Sequence, residues 1–330
     1  MLKLGAHMSI AGGVDKAVPL ARKIGCEVAQ IFTKSSSQWA ARPLADDEIA
    51  AFRRNVRDLG VAVSAAHASY LINLCSADAA LSDRSLHAFR HEMERCETLG
   101  IPFLVAHPGA HRGEGEEAAI RRIAGCLDAI HAATRGFRVK TLLEITAGQG
   151  SSIGHRFEHI AEILSRVKDP ERLGVCFDTC HAHAAGYDLR HESGYEATFA
   201  EFDRIVGIGR IRAFHLNDCR KELGCRVDRH WHIGRGFLGL EPFRLLMNDP
   251  RFDGIPGILE TPKGPDYAED LKNLSALRRL AGDSVPRQIP RALRLLPGSV
   301  VKAGRTAAAS DPARKRPRRT RKAVTPEVGH

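Results

Sequence analysis

LGVCFDTCHAHAAGYD, residues 173–188, carries the decision about the fold. Its first six residues form a short apolar run that ends on an acid, Asp178. Such a run, bounded by polar residues, reads as a buried strand. Within 176–188 lie two cysteines, two aspartates and two histidines. Cys176 and Cys180 form C-x-x-x-C, a spacing that invites a disulfide or a thiolate zinc site. The rest of the chain argues against both. The eight cysteines (26, 75, 96, 126, 176, 180, 219 and 225) are scattered and none forms C-x-x-C. In a cytosolic chain of 330 residues they are expected to stay reduced. Cys176 then reads as core, Cys180 as a packed or partly exposed thiol, and Asp178 and His181 are left to do chemistry.

The same form recurs along the chain. Apolar runs rich in β-branched residues stand at LGAHMS (4–9), VAQIFT (28–33), VAVSAAH (61–67), PFLVAH (102–107), TLLEI (141–145), IRAFHL (211–216) and GILE (257–260). Between them lie stretches of helical periodicity such as DEIAAFRRNVRDL (47–59) and AAIRRIAGCLDAIHAAT (118–134). Eight alternating β/α units predict an α/β fold, a closed (β/α)8 TIM barrel over residues 1–282. An open doubly wound sheet is the alternative that strand count leaves standing.

The predicted strand ends carry one kind of residue. His67, His107, Glu144, Asp178, His215 and Glu260 lie at or near the ends of six of the eight. In a parallel barrel these ends meet at one mouth. Carboxylates gathered there repel one another unless cations stand between them. His181, Asp228 and His230 follow in loops. Imidazole with carboxylate suits Zn²⁺, with Mn²⁺ or Fe²⁺ as alternatives. Nine donors exceed one ion's needs and predict two or three, with a carboxylate bridging a close pair. Closely spaced metals suit phosphoryl transfer.

Bulk composition limits the other classes. Hydrophobic content of 43% and charged content of 27% are those of a globular protein. No apolar run approaches the ~20 residues of a membrane span, and the N-terminus lacks a signal-peptide layout. A cytoplasmic, bacterial location is expected, with no membrane partner. The net charge of +10 is concentrated in residues 283–330, where twelve Lys/Arg face three acids. That segment, with RKRPRRTRK at 314–322, predicts a disordered basic tail able to add salt-dependent DNA affinity.

Long ordered motifs make a resemblance visible. GAHMSIAGG (5–13), FTKSSSQW (32–39), HASYLINL (67–74), HPGAH (107–111), EITAGQGS (144–151), CFDTCHAHAAGYD (176–188), HLND (215–218), GCRVDRHWHIGRGFLG (224–239) and FDGIPGILETP (252–262) resemble the endonuclease IV family of zinc-dependent apurinic/apyrimidinic endonucleases. The resemblance covers roughly residues 1–280 and implies a TIM barrel with three zinc ions. It implies that His67 and His107 bind one ion, with Glu144 bridging to a second held also by Asp178, His215 and Glu260. His181, Asp228 and His230 hold the third, and Glu144 and Glu260 are named as catalytic. It implies a deoxyribonuclease IV activity on double-stranded DNA with abasic sites or blocked 3′ ends. Cleavage falls 5′ to the abasic site through hydroxide generated at the zinc cluster. Gln38, Trp39, Tyr70 and Leu71 are implied DNA contacts, and the family suggests a monomer without obligate protein partners. The chain departs from the family's usual residues at Ser35, Ser37, Ile145, Cys219, Trp231 and Arg235.

Several motifs read more plainly. His7, His111, His183 and His232 are expected to be rim residues or supports of the ligands. GRGFLG (234–239) matches a dinucleotide fingerprint but follows no clear strand. The competing function is a metal-dependent sugar isomerase or epimerase on the same barrel. Asp228 with His230 and His181 separates the two readings.

Overall fold

A computed structural model describes residues 1–282; the basic tail read at 283–330 lies outside the described residues. Eight parallel strands close into a barrel in chain order, the last pairing with the first. They are β1 Lys3–Met8, β2 Val28–Phe32, β3 Ala62–His67, β4 Phe103–Ala106, β5 Lys140–Glu144, β6 Leu173–Asp178, β7 Ile211–His215 and β8 Pro256–Leu259. The closed barrel is therefore the fold, and the open sheet is excluded. Each predicted strand is present with ends shifted by about one residue. His107 and Glu260 lie one residue beyond β4 and β8.

Helices cover the outside of the barrel. Among the described residues they are α1 Ala17–Lys23, α2 Asp46–Leu59, α3 Ala79–Leu99, α4 Glu116–Ala133, α5 Phe157–Arg166, α6 Thr179–Ala185, α7 Glu192–Ile205, α8 Glu241–Asn248 and α9 Ala268–Leu280. The outward side chains of the strands and the inward stripes of the helices form one large core. GRGFLG follows no strand directly, as its sequence context suggested.

A second, smaller core fills the barrel itself. It consists of Val28, Ala65, Val105, Leu142, Cys176, Ala213 and Ile258, one residue from each of β2 to β8. On β1 the position between Val28 and Ile258 is Gly5. Side chains on a strand alternate, so two residues further on the chain faces inward again. The residues at that step are His7, Gln30, His67, His107, Glu144, Asp178, His215 and Glu260. Every one is polar. The barrel interior thus changes from an apolar plug to a polar ring in a single two-residue step at its C-terminal mouth.

Candidate metal centre

The strand register fixes this ring. Asp178 lies opposite His215 across β6 and β7, and Glu144 lies opposite Cys176. Glu144 is fully buried and central. Its Oε2 is 3.0 Å from both His67 Nε2 and His107 Nε2. Its Oε1 is 2.8 Å from His215 Nδ1 and 3.3 Å from His181 Nδ1. One carboxylate therefore faces two groups of donors, with an oxygen toward each.

His67, His107 and Glu144 form one group whose donor atoms lie within 4.8 Å of one another; Glu144, Asp178, His215 and Glu260 form another. A third group combines Asp178, His181 and His230. Asp228 joins it, with Oδ2 3.1 Å from His181 Nε2 and Oδ1 3.3 Å from His230 Nε2. All nine residues singled out in the sequence thus meet at one mouth. The loop residues arrive by two devices. Asp178 caps α6 by accepting from His181 N–H at 2.8 Å, which turns His181 back over the ring. A short antiparallel pairing of Asp218–Cys219 with His230–Trp231 folds the 228–231 segment inward.

Hydrogen bonds show which nitrogens are available. His67 Nδ1 donates to Ala68 O at 2.8 Å, His181 Nδ1 to Ile145 O at 2.9 Å and His230 Nδ1 to Glu260 O at 3.3 Å. Each thereby turns its Nε2 toward the centre. Ile145 serves through its carbonyl, so its side chain takes no part in this bond.

The second group tests whether a cation fits. His215 Nδ1 faces Glu144 Oε1, Glu260 Oε2 at 3.2 Å and Asp178 Oδ2 at 3.8 Å. Four electron-pair donors then converge in a buried space, an arrangement that needs a positive charge among them. Burial works to raise the Glu144 carboxyl, but His215, His107 and His181 hold it well below the usual carboxylate range. Burial works to lower the His215 pKa, but Cys176, Glu260 and Glu144 raise it well above its ordinary value. A divalent ion with N and O preferences would supply that charge, so the donor set fits zinc-type ions.

Residues outside the expected set orient it. Asn217 is fully buried, donates Nδ2–H to Asp178 Oδ2 at 2.7 Å and accepts from Glu260 N–H at 2.9 Å. Gln30, also fully buried, donates Nε2–H to Glu260 Oε1 at 2.6 Å. Neither was legible as functional, although the step of two from Val28 leads to Gln30. The four histidines expected to be supports all have polar partners. His7 contacts Gln30, His111 accepts from Gly113 and Gly115, His183 donates to Lys221 O, and His232 meets Asn273.

Cys176 is core, as expected, and Cys180 is fully buried, the packed one of its two expected states. Its sulfur lies within 4.8 Å of donor atoms of Asp228 and His230. A hydrogen bond with Cys219, with burial, raises its pKa. Among the described residues Glu116, His155 and His159 form a further group. There His159 Nδ1 accepts from Gly154 N–H, which leaves the proton on Nε2, 3.2 Å from Glu116. An imidazole in that tautomer pairs with a carboxylate and offers no lone pair to a metal.

Beside the ring, two loops present exposed side chains. Tyr70 is 63% exposed, stacked edge-on against Phe32 and beside His67. Gln38 is exposed, whereas Trp39 and Leu71 are half-buried, and Arg84 covers the Trp39 ring at 4.4 Å. Lys34 ties the loops together. Its Nζ donates to Gln38 O at 2.7 Å and pairs at 3.1 Å with buried Glu92, which accepts from Ser69 N–H.

The family of xylose isomerase-like TIM barrels matches residues 18–279. A probable endonuclease 4 from Geobacter sulfurreducens is 54% identical over 277 residues, covering 84% of this chain and 94% of the relative. The chain belongs to the endonuclease IV family. The crystal structure of endonuclease IV from Thermus thermophilus is 37% identical, with a TM-score of 0.73 over 84% of this chain and 98% of that one. A D-tagatose 3-epimerase-like protein is 18% identical with a TM-score of 0.66 over 86% and 100% of the two chains. At that identity it shares the fold alone. The basic segment read at 283–330 lies beyond the residues 18–279 that the family matches.

Proposed function

We propose that this chain is a DNA-repair endonuclease that hydrolyses the phosphodiester 5′ to abasic sites, leaving 3′-hydroxyl and 5′-deoxyribose phosphate ends, and that it also clears blocked 3′ ends. The observation that supports this most is the third donor group, Asp228 with His230 and His181, set against the Glu144-centred pair. Three adjacent groups suit a phosphoryl centre with attacking and leaving oxygens to serve, more than a sugar isomerase. The relatives' name, endonuclease 4, points the same way.

The centre would hold three zinc ions: His67, His107 and Glu144 for one, Glu144, Asp178, His215 and Glu260 for the second, and His181, Asp228 and His230 for the third. When bound, such ions supply Lewis acidity and water that ionises near neutral pH. Glu144 and Glu260 serve the reaction by holding the centre's charge balance and spacing. Asn217 keeps Asp178 and Glu260 in register. A nucleotide must leave the duplex to reach so recessed a ring, and a missing base lowers that cost. Tyr70, Leu71, Gln38 and Trp39 are assigned to the bent duplex, with Tyr70 the most available. No helix among the described residues is long and apolar enough to cross a membrane. We assign the enzyme to the bacterial cytoplasm as a monomer acting on double-stranded DNA.

The test is incision of a duplex containing one tetrahydrofuran abasic analogue by the full-length protein. Cleavage on the 5′ side is expected, lost on chelation and restored by zinc. Absence of incision together with isomerase activity on sugars would overturn the proposal.

Two further outcomes follow from the same centre and from the tail. Cys180→Ser is expected to keep incision within about threefold while lowering stability by about 1 kcal/mol, since a hydroxyl is buried in the thiol's place. A hundredfold loss in initial rate would put the thiol among the working donors. Truncation after Gly282 removes twelve Lys/Arg. Duplex binding should weaken mainly at low salt, with a shallower dependence of log K on log salt. An identical slope in fluorescence anisotropy would remove the tail from DNA binding.

A further inference from the structure

Gln30 and His7 are the members of the polar ring that the metal assignment leaves unused. Gln30 is wedged between His215 and Glu260, and its orientation can be deduced. Glu260 Oε1, 2.6 Å away, is a carboxylate oxygen and can only accept. The amide nitrogen must therefore face Glu260. Its second hydrogen faces His7 Nδ1 at 3.0 Å. Gln30 Oε1 then faces His215 Nε2 at 2.9 Å and can only accept, so that nitrogen carries the hydrogen. Nδ1 is then the nitrogen of His215 that faces Glu144 and Glu260, and the one that would meet a cation held among them.

This arrangement inverts the rule of the other histidines. His67, His181 and His230 donate from Nδ1 to backbone carbonyls and present Nε2. His215 has no carbonyl in that place and presents Nδ1 instead. We infer that Gln30 is a positioning residue of the second cation site, which selects the Nε2–H tautomer of His215 and pins one oxygen of Glu260 so that the other points inward. The inference rests on the assignment of that group as a metal site. A partner that fixes a ligand's tautomer in this way is worth about 10- to 100-fold in metal affinity.

Two measurements test it. In zinc-loaded wild-type protein labelled with ¹⁵N-histidine, long-range ¹H–¹⁵N correlation should show one zinc-bound imidazole coordinated through Nδ1 with its proton on Nε2. The other zinc-bound imidazoles should be coordinated through Nε2. A spectrum in which every zinc-bound imidazole uses Nε2 would overturn the inference without any variant. Gln30→Leu removes both the acceptor and the donors. Competition with a chelator should show one of the bound zinc ions weakened about 10- to 100-fold, the others unchanged, and an altered visible spectrum after cobalt substitution. The KM for the abasic duplex should stay near wild-type while kcat falls. Full zinc affinity and an unaltered cobalt spectrum in Gln30→Leu would overturn the inference. Failure of the wild-type protein to bind zinc would instead remove the metal assignment beneath it.

Discussion

Glu144→Gln is expected to abolish most incision while the barrel stays folded. The substitution keeps the volume and shape of the side chain, so packing in the ring is little changed. It removes the charge and turns one oxygen into an amide nitrogen. In whichever orientation the amide settles, one of the two donor groups loses its oxygen. Either His67 and His107 or His215 and His181 then face N–H in place of an acceptor. The remaining oxygen cannot serve both groups from its position. Loss of a shared ligand in a multi-metal site forfeits several kcal/mol of charge stabilisation, which is about a thousandfold or more in rate. Initial rates on the tetrahydrofuran duplex, with zinc content by atomic emission, check this. A variant within tenfold of wild-type with its full zinc complement would remove Glu144 from the centre.

Gly5→Ala is expected to be the most destabilising small substitution in the barrel. A Cβ at Gly5 would stand 1.8 Å from the Val28 carbonyl oxygen and 2.6 Å from its carbon. Both are backbone atoms of the neighbouring strand, so no side chain can swing aside. β1 would have to separate from β2 at the level of the apolar plug, just beneath His7 and Gln30. Overpacking of a closed core against backbone costs on the order of 3 kcal/mol or more. Urea unfolding of the full-length chain measures it. Gly209→Ala is the control, since no heavy atom lies within 4 Å of a Cβ there, and it should change stability by less than about 1 kcal/mol. Equal midpoints for the two variants would mean that the strands accommodate the methyl group.

Most of the donor set could be read along the chain because it lies where apolar runs end. LGVCFD and VAVSAAH show the strand and its polar end in six or seven consecutive residues, and alternation of side chains is a local property of the backbone. His181 is a turn beyond such an end. Asp228 and His230 were legible only through the motif they sit in, since their position over the ring depends on a hairpin pairing that the local sequence does not signal. Gln30 was illegible for a different reason. VAQIFT looks like an ordinary strand with one polar residue, and the partner that makes Gln30 useful, Glu260, is 230 residues away. For Cys180 the sequence left a packed and a partly exposed thiol standing, and burial beside Cys219 decides for the packed one.

The sequence by itself determined the count of β/α units and the imidazole and carboxylate chemistry at the strand ends. These follow from residue type and two-residue periodicity, which act over a few bonds. Only the tertiary structure decided which donors share a site, that Glu144 faces two of them, which nitrogen His215 presents, and why β1 needs a glycine at position 5. Each of these depends on closing the barrel. Closure sets β1 beside β8 and fixes how far each strand is shifted along its neighbour. Separations of a few ångströms between residues hundreds apart in the chain are a product of that closure alone.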